Sequence, residues 1–189
     1  LVSKNADGSK GYIKKTELMA YPNVRSTGII GLKLYYGDSL VGCKLGKKDD
    51  EILIATRYGK AIRFTEVEVR AVGRVSRGVT AIRFSDDEDC VIGIAILRAG
   101  EKSTILSACE NGFGKRTELA EYRLQTRGGK GIFTIKVTDR NGPVVGICQV
   151  HDDDQIVMMT STGKLMRFNA NEISIIGRHT QGVRLMNLS

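Results

Sequence analysis

The sequence predicts an all-β protein built from repeated four-stranded units, and two observations lead to this fold class. Glycines recur with a common period of about 51 residues, so the 189-residue chain holds nearly four copies of one unit. Each copy contains short runs rich in β-branched and aromatic residues around glycine turns, with little helical periodicity. Units of this size are typical of propeller blades, which stack on one another to bury their inner faces.

Three glycine series place the same turns in every unit. The first series lies in hairpin turns, the second follows a polar connection, and the third lies in the last strand of a unit. The members are Gly11, Gly59, Gly112 and Gly163; Gly28, Gly78, Gly131 and Gly182; and Gly42, Gly93 and Gly146. The intervals in the three series change together, which indicates that whole units repeat.

Four strands are predicted in each unit. The first two flank a hairpin glycine, as Ile52–Arg57 and Ala61–Phe64 flank Gly59. Only short helical turns are expected, near Thr65–Val69 or Asn169–Ile173. Further first strands are Thr104–Cys109 and Gln155–Thr160; third strands are Ile29–Leu34, Val79–Phe84, Ile132–Val137 and Val183–Leu188; fourth strands are Leu40–Leu45, Val91–Leu97 and Val144–Val150.

The repeat predicts one domain over residues 1–189. The chain begins and ends inside a unit, because Leu1–Lys4 has the pattern of a first strand and Ser189 follows a third. Either a ring closes by sharing strands between units or the chain is part of a longer protein, and we favour a truncated disc. The approximate blades are 1–50, 51–102, 103–154 and 155–189.

The charge of the chain favours a polyanionic partner. The net charge is +8 and the pI is about 9.4, and nucleic acid fits better than a membrane surface because no basic amphipathic helix is visible. No apolar run approaches the roughly 18 residues of a membrane helix. The alternative is a basic domain whose charge serves solubility alone.

The cations follow the repeat in two series. One cation lies four residues after each hairpin glycine, and another lies five residues after three of the four second-series glycines. The first cation series is Lys15, Arg63, Arg116 and Arg167, the second is Lys33, Arg83 and Lys136, and the polar connections add Arg25, Arg74, Arg77, Arg127 and Arg178. Equivalent positions of a radial array lie on one circular track, so we predict that these residues bind DNA.

A continuous basic track suits a bent duplex, because many phosphate contacts must offset a deformation cost of several kcal/mol. Trp is absent and aromatic residues make up 6% of the chain, whereas single-strand and base-specific RNA readers use stacking platforms. No recognition helix or zinc finger is readable. The sequence therefore favours recognition of the duplex backbone and shape. The alternative is that Lys and Arg only fill exposed strand positions.

The Gly-rich loop Gln125–Gly131 carries the densest signal of this kind. Its residues Gly128, Gly129 and Gly131 permit close approach of the backbone, and Arg127 and Lys130 offer donors to phosphate. Gly131 belongs to the second glycine series, so the loop is an enlarged copy of the connection in every unit. We predict that it contacts phosphate and also shapes the contact between neighbouring blades.

No catalytic or metal-binding chemistry is readable. The cysteines Cys43, Cys90, Cys109 and Cys148 lack zinc spacing and lie in or beside apolar runs, so they are expected to be reduced, packed thiols. Two isolated histidines, His151 and His179, suggest no centre. The stretch Gly112–Thr117 lacks phosphate-loop spacing and lies in a predicted hairpin. Catalytic, cofactor-binding and metal residues are therefore predicted to be absent.

The chain resembles the C-terminal domain of bacterial DNA gyrase A over essentially its whole length. The resemblance rests on the repeat period, on the stretches Asn111–Thr117 and Ile175–Val183, and on the Gly-rich loop. That loop is similar to the family's Q-R-R-G-G-K-G box, with Thr126 in place of the first Arg. The box of the family lies in its first blade, whereas this loop lies in the third unit, so it is either the main box or a secondary copy.

The resemblance implies a β-pinwheel, commonly of six blades that exchange strands, which wraps DNA around a basic rim. It implies partnership with the rest of gyrase A and with gyrase B, in a heterotetramer of two copies of each. ATP and Mg²⁺ serve that type IIA topoisomerase outside this domain, as does its catalytic tyrosine. The expected location is the bacterial cytoplasm at the nucleoid, and the isolated domain is expected to be monomeric.

Two alternatives stay open at this point. The corresponding domain of topoisomerase IV has the same fold with an eroded or absent box. A protein-interaction propeller that resembles the chromosome-condensation-regulator repeats also has a period near 50. The cationic series, the absent Trp and the Gly-rich loop favour the DNA-wrapping domain over the interaction propeller.

Overall fold

The fold is made of short antiparallel strands, and the computed structural model describes residues 1–4, 9–22, 26–98 and 100–188. No helix in these ranges is long and apolar enough to cross a membrane. The helical elements there are the 3₁₀ helices Leu18–Ala20, Glu66–Glu68, Leu119–Glu121 and Ala170–Glu172. The strands are β1 (Val2–Lys4), β2 (Lys10–Ile13), β3 (Ser39–Gly42), β4 (Glu51–Thr56), β5 (Lys60–Thr65), β6 (Val79–Arg83), β7 (Val91–Leu97), β8 (Thr104–Cys109), β9 (Phe113–Glu118), β10 (Ile132–Phe133), β11 (Val144–Val150), β12 (Gln155–Met159), β13 (Leu165–Asn169) and β14 (Val183–Arg184).

The all-β class and the predicted hairpins are confirmed. Predicted strands Ile52–Arg57 and Ala61–Phe64 correspond to β4 and β5, which pair in antiparallel register around a glycine turn. The predicted closing strand Val91–Leu97 is β7. The helical turns expected near Thr65–Val69 and Asn169–Ile173 are present as 3₁₀ helices.

The sheets are built by exchange of strands between consecutive units. The sheet orders are β3-β1-β2-β6, β10-β5-β4-β7 and β11-β8-β9-β14, and β12 pairs with β13. We call β6, β10 and β14 the exchanged strands, because each follows the connection in one unit and pairs with the second strand of the preceding unit. Each of the three four-stranded sheets therefore contains strands from two of the predicted blade segments.

One predicted strand is wrong. The segment Ile29–Leu34 is the first-unit counterpart of the exchanged strands, yet it forms no strand. An exchanged strand needs the hydrogen-bonding edge of a preceding hairpin. No hairpin precedes the first unit in the described part of the chain, so this segment has no ladder partner.

The hydrophobic core lies between neighbouring sheets. Val2 of the first sheet clusters with Ile52 and Phe64 of the second. A separate cluster joins Leu53 of β4 to Tyr122, which follows the 3₁₀ helix of the next unit. Because β4 is buried along its whole length, a blade can bury its faces only against neighbours on both sides.

The third glycine series allows the closing strands β3, β7 and β11 to pack against one another. A Cβ atom on Gly42 would lie 3.1 Å from Cγ2 of Ile94, and one on Gly93 would lie 3.2 Å from Cγ1 of Ile147. Each glycine thus makes room for an isoleucine of the next unit.

Candidate nucleic-acid interface

The Gly-rich loop Gln125–Gly131 leads from the third-unit hairpin back to the second sheet, where β10 pairs with β5. Gly131 has φ +69°, and a Cβ atom there would lie 2.5 Å from the carbonyl oxygen of Ala61. Glycine alone combines this dihedral with such an approach at little steric cost. The loop is therefore the point at which one blade is joined to the next.

Arg127 of this loop is engaged with the preceding unit. Its Nε donates to the carbonyl of Glu68 at 2.9 Å, and its Nη1 donates to the carbonyl of Thr80 at 2.8 Å. Its backbone N–H donates to Oε2 of Glu68 at 2.8 Å. The Arg127 guanidinium thus links two consecutive connections, and its Nε and Nη1 donors are already engaged in hydrogen bonds.

The same contact recurs in the other connections. We call Arg74, Arg127 and Arg178 the loop arginines, because Nη1 of each donates to a carbonyl of the preceding unit. The acceptors are Ile30 at 2.7 Å, Thr80 at 2.8 Å and Phe133 at 2.9 Å, respectively. The side chains stay partly accessible, so the predicted phosphate contact at these positions would add to a structural role.

Some of the other residues of the Gly-rich loop bind the preceding unit through their backbone, and others are exposed to solvent. The backbone N–H groups of Gln125 and Gly128 donate to the carbonyls of Arg63 and Ala81 at 2.8 and 2.6 Å. Gly129 is half-buried, whereas Lys130 is exposed. Lys130 and Arg83 line one cleft of about 210 Å³. Among the residues of this loop, Lys130 offers the most accessible cation.

The first cation series joins blades. Nη1 of Arg63 donates to the carbonyls of Leu119 and Tyr122 in the next unit at 3.0 and 2.7 Å, and its Nε donates to Oε2 of Glu51 at 2.7 Å. The 3₁₀ helix of the next unit thus receives a side-chain donor at the carbonyl of Leu119, which also accepts the N–H of Tyr122, and another at the carbonyl of Tyr122 just beyond its end. Arg63 is largely buried, with 15% of its side chain exposed.

Arg116 and Lys15 repeat this arrangement. Nε of Arg116 donates to the carbonyl of Ile173 at 3.1 Å, and its Nη1 pairs with Asp152 at 2.6 Å. Lys15 pairs with the carboxylate of Glu66, and this hydrogen bond lowers the pKa of Glu66 below its usual value. Each of these cations also forms a parallel bridge to a residue that follows the next 3₁₀ helix: Lys15 to Ala71, Arg63 to Leu124 and Arg116 to Ile175.

We call Lys15, Arg63 and Arg116 the joint cations. The side chain of Arg116 is 4% exposed, so its guanidinium has almost no surface left for a phosphate. In the structure Arg63 and Arg116 join neighbouring blades, and the DNA contact predicted for them stays a prediction. Arg167 differs, because it is exposed on β13 and no further unit lies beyond it in the described ranges.

The second cation series points outward. The side chains of Lys33, Arg83 and Lys136 are exposed. Their backbone N–H groups donate to the carbonyl at the equivalent position of the next connection, namely Ser76 at 3.4 Å, Gly129 at 2.9 Å and Thr180 at 2.9 Å. We call these three residues the track cations. Their backbone is fixed by the array while their charged ends are accessible.

Arg77, a further predicted cation, has different surroundings. Arg77 pairs with Asp38 at 3.0 Å, and its guanidinium carbon lies 4.0 Å from the ring centroid of Tyr12 and 4.5 Å from that of Tyr35. It is thus packed at the edge of the first sheet. Arg25 lies outside the described residues.

Sequence reasoning missed two buried lysines that support the connections. Nζ of Lys115 donates to the carbonyl of Gly177 at 2.7 Å and to Thr117 at 2.9 Å. Nζ of Lys14 donates to the carbonyl of Gly73 at 3.1 Å. Burial lowers the pKa of Lys115 to about 8. The signal was available, because both lysines directly precede a joint cation.

A recurring glutamate was missed as well. Oε2 of Glu68 accepts the backbone N–H of Arg127, and Oε2 of Glu121 accepts that of Arg178 at 3.2 Å. The two glutamates are separated by 53 residues, the interval between Gly78 and Gly131. Acidic residues that share the glycine period could therefore have been recognised as partners of the loop arginines.

The thiols differ from expectation. Cys109 is buried, and burial raises its pKa to about 11, whereas Cys43 and Cys148 are exposed and Cys90 is intermediate. All four are free. The prediction of packed thiols is therefore correct for Cys109 and wrong for Cys43 and Cys148.

Strand exchange between successive four-stranded sheets, together with joint cations and glycine-mediated approach, defines a β-pinwheel of the propeller class. The family model described as "DNA gyrase C-terminal domain, beta-propeller" matches residues 8–46, 50–98, 105–147 and 154–189. The chain belongs to this DNA gyrase C-terminal domain family.

Relatives and solved structures agree with this assignment. The chain is 44% identical to the DNA gyrase A protein of Escherichia coli (strain K12) and 40% identical to that of Haloquadratum walsbyi, over 94% of its length in both cases. It covers 20% and 21% of those two proteins, and so spans about a fifth of the curated relatives it matches.

The likeness to solved structures concerns the fold. A structure of the DNA gyrase A C-terminal domain has a TM-score of 0.85 at 24% identity, covering 100% of this chain and 61% of that one. A crystal structure of the C-terminal domain of DNA topoisomerase IV has a TM-score of 0.88 at 24% identity, covering 98% and 56%.

Proposed function

We propose that this chain binds duplex DNA without sequence preference and bends it around the rim of the blade array. The observation that carries the proposal is the set of track cations Lys33, Arg83 and Lys136. They are exposed, they recur once per unit, and their backbone positions are fixed by the same hydrogen bond. Cations that recur once per unit offer a bent duplex a series of phosphate contacts.

Lys130 of the Gly-rich loop extends this surface. It is exposed and lines the same cleft as Arg83 of the preceding unit, together with Lys60 and the carboxylates of Asp86 and Asp89. The partly accessible loop arginines add positive potential behind the track. Arg167 and Arg25 stay predicted contacts. No base-reading helix is present among the described residues, which supports backbone recognition.

We infer that in the whole protein this domain serves DNA gyrase A. Its membership in the gyrase C-terminal domain family and the identity to gyrase A relatives support this inference. Wrapping would present a DNA segment to a strand-passage core in a handed geometry, so that ATP-driven turnover introduces negative supercoils. The catalytic tyrosine, the ATP site and bound Mg²⁺ would lie outside this chain, in a heterotetramer with gyrase B in the bacterial cytoplasm.

The experiment that tests the proposal is the dependence of duplex affinity on salt. If the track cations, Lys130, the loop arginines, Arg167 and Arg25 together contact about six to nine phosphates, the logarithmic slope is about −5 to −8 on B-DNA. Binding would be followed by fluorescence anisotropy with a long duplex and with a short one. A long duplex that spans several units is expected to bind more tightly and to show a bend by energy transfer between its ends.

A flat salt response, or equal affinity for the short and long duplexes, would contradict wrapping. An interaction propeller would give the flat response. Competition with unrelated duplex sequences measures sequence tolerance in the same assay, and we expect less than about a tenfold spread, since phosphate contacts carry no base information.

A further inference from the structure

The rim of the array is formed by two kinds of segment. In each four-stranded sheet the exchanged strand is the outer edge, because the closing strand at the opposite edge packs against its neighbours. β10 pairs with only the first two residues of β5, and Arg63 further along β5 bridges to Leu124 of the next unit. Lys15 bridges to Ala71 in the same way. The residues that follow each of these 3₁₀ helices therefore lie on the rim next to the exchanged strands.

Two arginines directly precede these bridging residues, Arg70 before Ala71 and Arg123 before Leu124. They are 53 residues apart, the interval of the second glycine series between the same two units. We call Arg70 and Arg123 the second row, because they belong to neither the joint cations, the loop arginines nor the track cations. Both lie in central units with a described unit on each side, so their surroundings are those of interior joints.

The guanidinium groups of the second row are accessible and unengaged. Arg70 and Arg123 are exposed, and within the described residues their side chains make no hydrogen bond or ion pair. An acidic residue lies two positions before each of them, Glu68 and Glu121 respectively. Those carboxylates instead accept the backbone N–H groups of two loop arginines, at 2.8 and 3.2 Å. The second row therefore keeps its donors for a ligand.

The second row and the track cations are separated along the direction of the strands. In the first sheet Arg83 lies opposite Lys10, at the start of β2, whereas Ala71 lies beside Lys15, just past the end of β2. Five residue steps separate Lys10 from Lys15, which corresponds to about 17 Å of extended chain. The rim thus presents two lines of cations with the exchanged strands between them.

A duplex carries two lines of phosphates, one on each strand. Its major groove is about 12 Å wide, and the charged ends of long Arg and Lys side chains reach several ångströms beyond the backbone. A duplex that lies across the exchanged strands can therefore present one line of phosphates to each line of cations. A single strand has one line of phosphates and can occupy only one of them.

We propose that the second row binds the phosphates of one DNA strand while the track cations bind those of the other. The inference rests on the proposed function, because it concerns how a duplex on the rim is held. It adds Arg70 and Arg123 as DNA contacts and makes the surface selective for duplex over single-stranded DNA. Pro22 and Ser174 occupy the equivalent positions of the outer units, so the contact to both strands is made by the central units.

The salt dependence of duplex binding tests the second row. Arg70→Gln combined with Arg123→Gln should lower the logarithmic slope by about 2, one for each phosphate contact that is lost. Thermal stability should not change, because neither side chain has a partner among the described residues. Lys48→Gln combined with Lys102→Gln is the charge-matched control at exposed positions outside both lines of cations, and it should leave the slope unchanged.

A duplex with one neutral strand tests the assignment to a second strand. Methylphosphonate linkages replace the phosphates of that strand, so the charged strand can occupy the track cations or the second row but not both. The track is expected to take it, because it has more cations. On this duplex the Arg70→Gln, Arg123→Gln variant should differ in slope from the unmodified chain by less than about 0.5.

The ratio of duplex to single-strand affinity gives a further readout. A single strand of the same length should bind the track alone, so the substitutions should weaken duplex binding and spare single-strand binding. At about 0.1 M salt the ratio should fall at least tenfold in the Arg70→Gln, Arg123→Gln variant.

An equal loss of slope on the natural and the half-neutral duplex would overturn the proposal, because both lines of cations would then contact the same strand. So would an unchanged slope on the natural duplex, an unchanged affinity ratio, or an equal loss in the control variant. Failure of the proposed function looks different, since the unmodified chain itself would then show a flat salt response on every duplex.

Discussion

The joint cations and the track cations obey the same period but occupy opposite environments. Arg63 and Arg116 are buried between blades and donate to carbonyls of the next unit. Arg83 and Lys136 are exposed, and only their backbone is bound by the next unit. Cations can therefore recur in a repeat protein for two reasons. Some join neighbouring repeats, and others bind a ligand that lies across several repeats.

The difference follows from where each series lies in its unit. A joint cation is on the second strand of a unit, which faces the 3₁₀ helix of the next blade. The carbonyls of Tyr122 and Ile173, just after two of these helices, accept the guanidinium donors, and a guanidinium supplies several donors at once. The track cations Arg83 and Lys136 lie at the end of β6 and three residues beyond β10, and their side chains are exposed. Substituting one residue of each series therefore tests the blade-joining role and the DNA-binding role separately.

The largest effect is expected from Arg63→Met. The substitution removes two donors to the next unit and leaves Glu51 without its partner while only 12% of the Glu51 side chain is exposed. Loss of one partner of a buried pair costs about 3–5 kcal/mol. Urea unfolding should show this loss. Arg167→Met, the matched change at the equivalent and exposed position of β13, should change stability by less than about 0.5 kcal/mol. Equal losses in the two variants would refute the assignment of joint cations.

A smaller effect on stability is expected from Lys115→Met. Lys115 is buried, and the apolar residues Ile62 and Met166 occupy the equivalent position in two other units. The pKa of Lys115 is about 8 in the folded chain and near 10.5 when exposed. Between these values the unfolded state binds more protons, so stability should rise with pH. The rise in the wild type should exceed that in Lys115→Met by at most about 3 kcal/mol.

Urea unfolding of both proteins between pH 7 and 10.5 provides this measurement. Titration of tyrosines and other lysines is common to the two proteins and cancels in the difference. Parallel pH profiles for the wild type and the variant would mean that Lys115 is not desolvated as the structure indicates.

The track is tested by the double variant Arg83→Glu, Lys136→Glu. We expect unchanged thermal stability and a salt slope of duplex binding that is smaller by about 2, one for each phosphate contact. The charge-matched control is Lys48→Glu, Lys102→Glu, at exposed positions outside both series. If the control loses the same slope, net charge alone governs binding and the track has no special role.

The smallest effect is expected at His151, which bonds Glu101 at 2.8 Å. Burial lowers the pKa of His151, but Glu101 and Asp154 outweigh it and raise the pKa above its usual 6.5. The stabilisation is therefore complete below pH 6.5 and is lost as the pH rises through the folded pKa. His151→Ala should cost less than about 0.5 kcal/mol at about pH 6, since the pair is solvent-screened, and nothing at about pH 9. Duplex affinity should stay unchanged.

Local features of the fold were predictable because they depend on neighbours in sequence. The hairpin of β4 and β5 follows from β-rich runs around Gly59, and the 3₁₀ helix Glu66–Glu68 follows directly after β5. Exchange of strands was expected only through the resemblance. The sheet that Ile132–Phe133 joins depends on a strand edge that is distant in sequence, and the residue pattern does not show such edges. Ile29–Leu34 was therefore predicted as a strand, although the described residues contain no partner strand for it.

The candidate site shows the same division. Period alone grouped Arg63 with Arg83, since both recur with the glycines. Burial separates them, and burial depends on which strand faces the neighbouring blade. Glu68 shows the reverse case, because its spacing to Glu121 was readable but its role as acceptor for Arg127 became clear only from the loop contact at 2.8 Å.

The sequence by itself determined the repeat, the all-β class, the family resemblance and the positions at which charge recurs. These properties are carried by residue type and spacing, which are local to a unit. The tertiary structure alone decided which sheet each strand joins, which cations lie inside the joints and which remain on the rim. That decision depends on contacts between units about 51 residues apart, such as the hydrogen bond from Arg63 to the carbonyl of Tyr122, which residue type and spacing alone do not reveal.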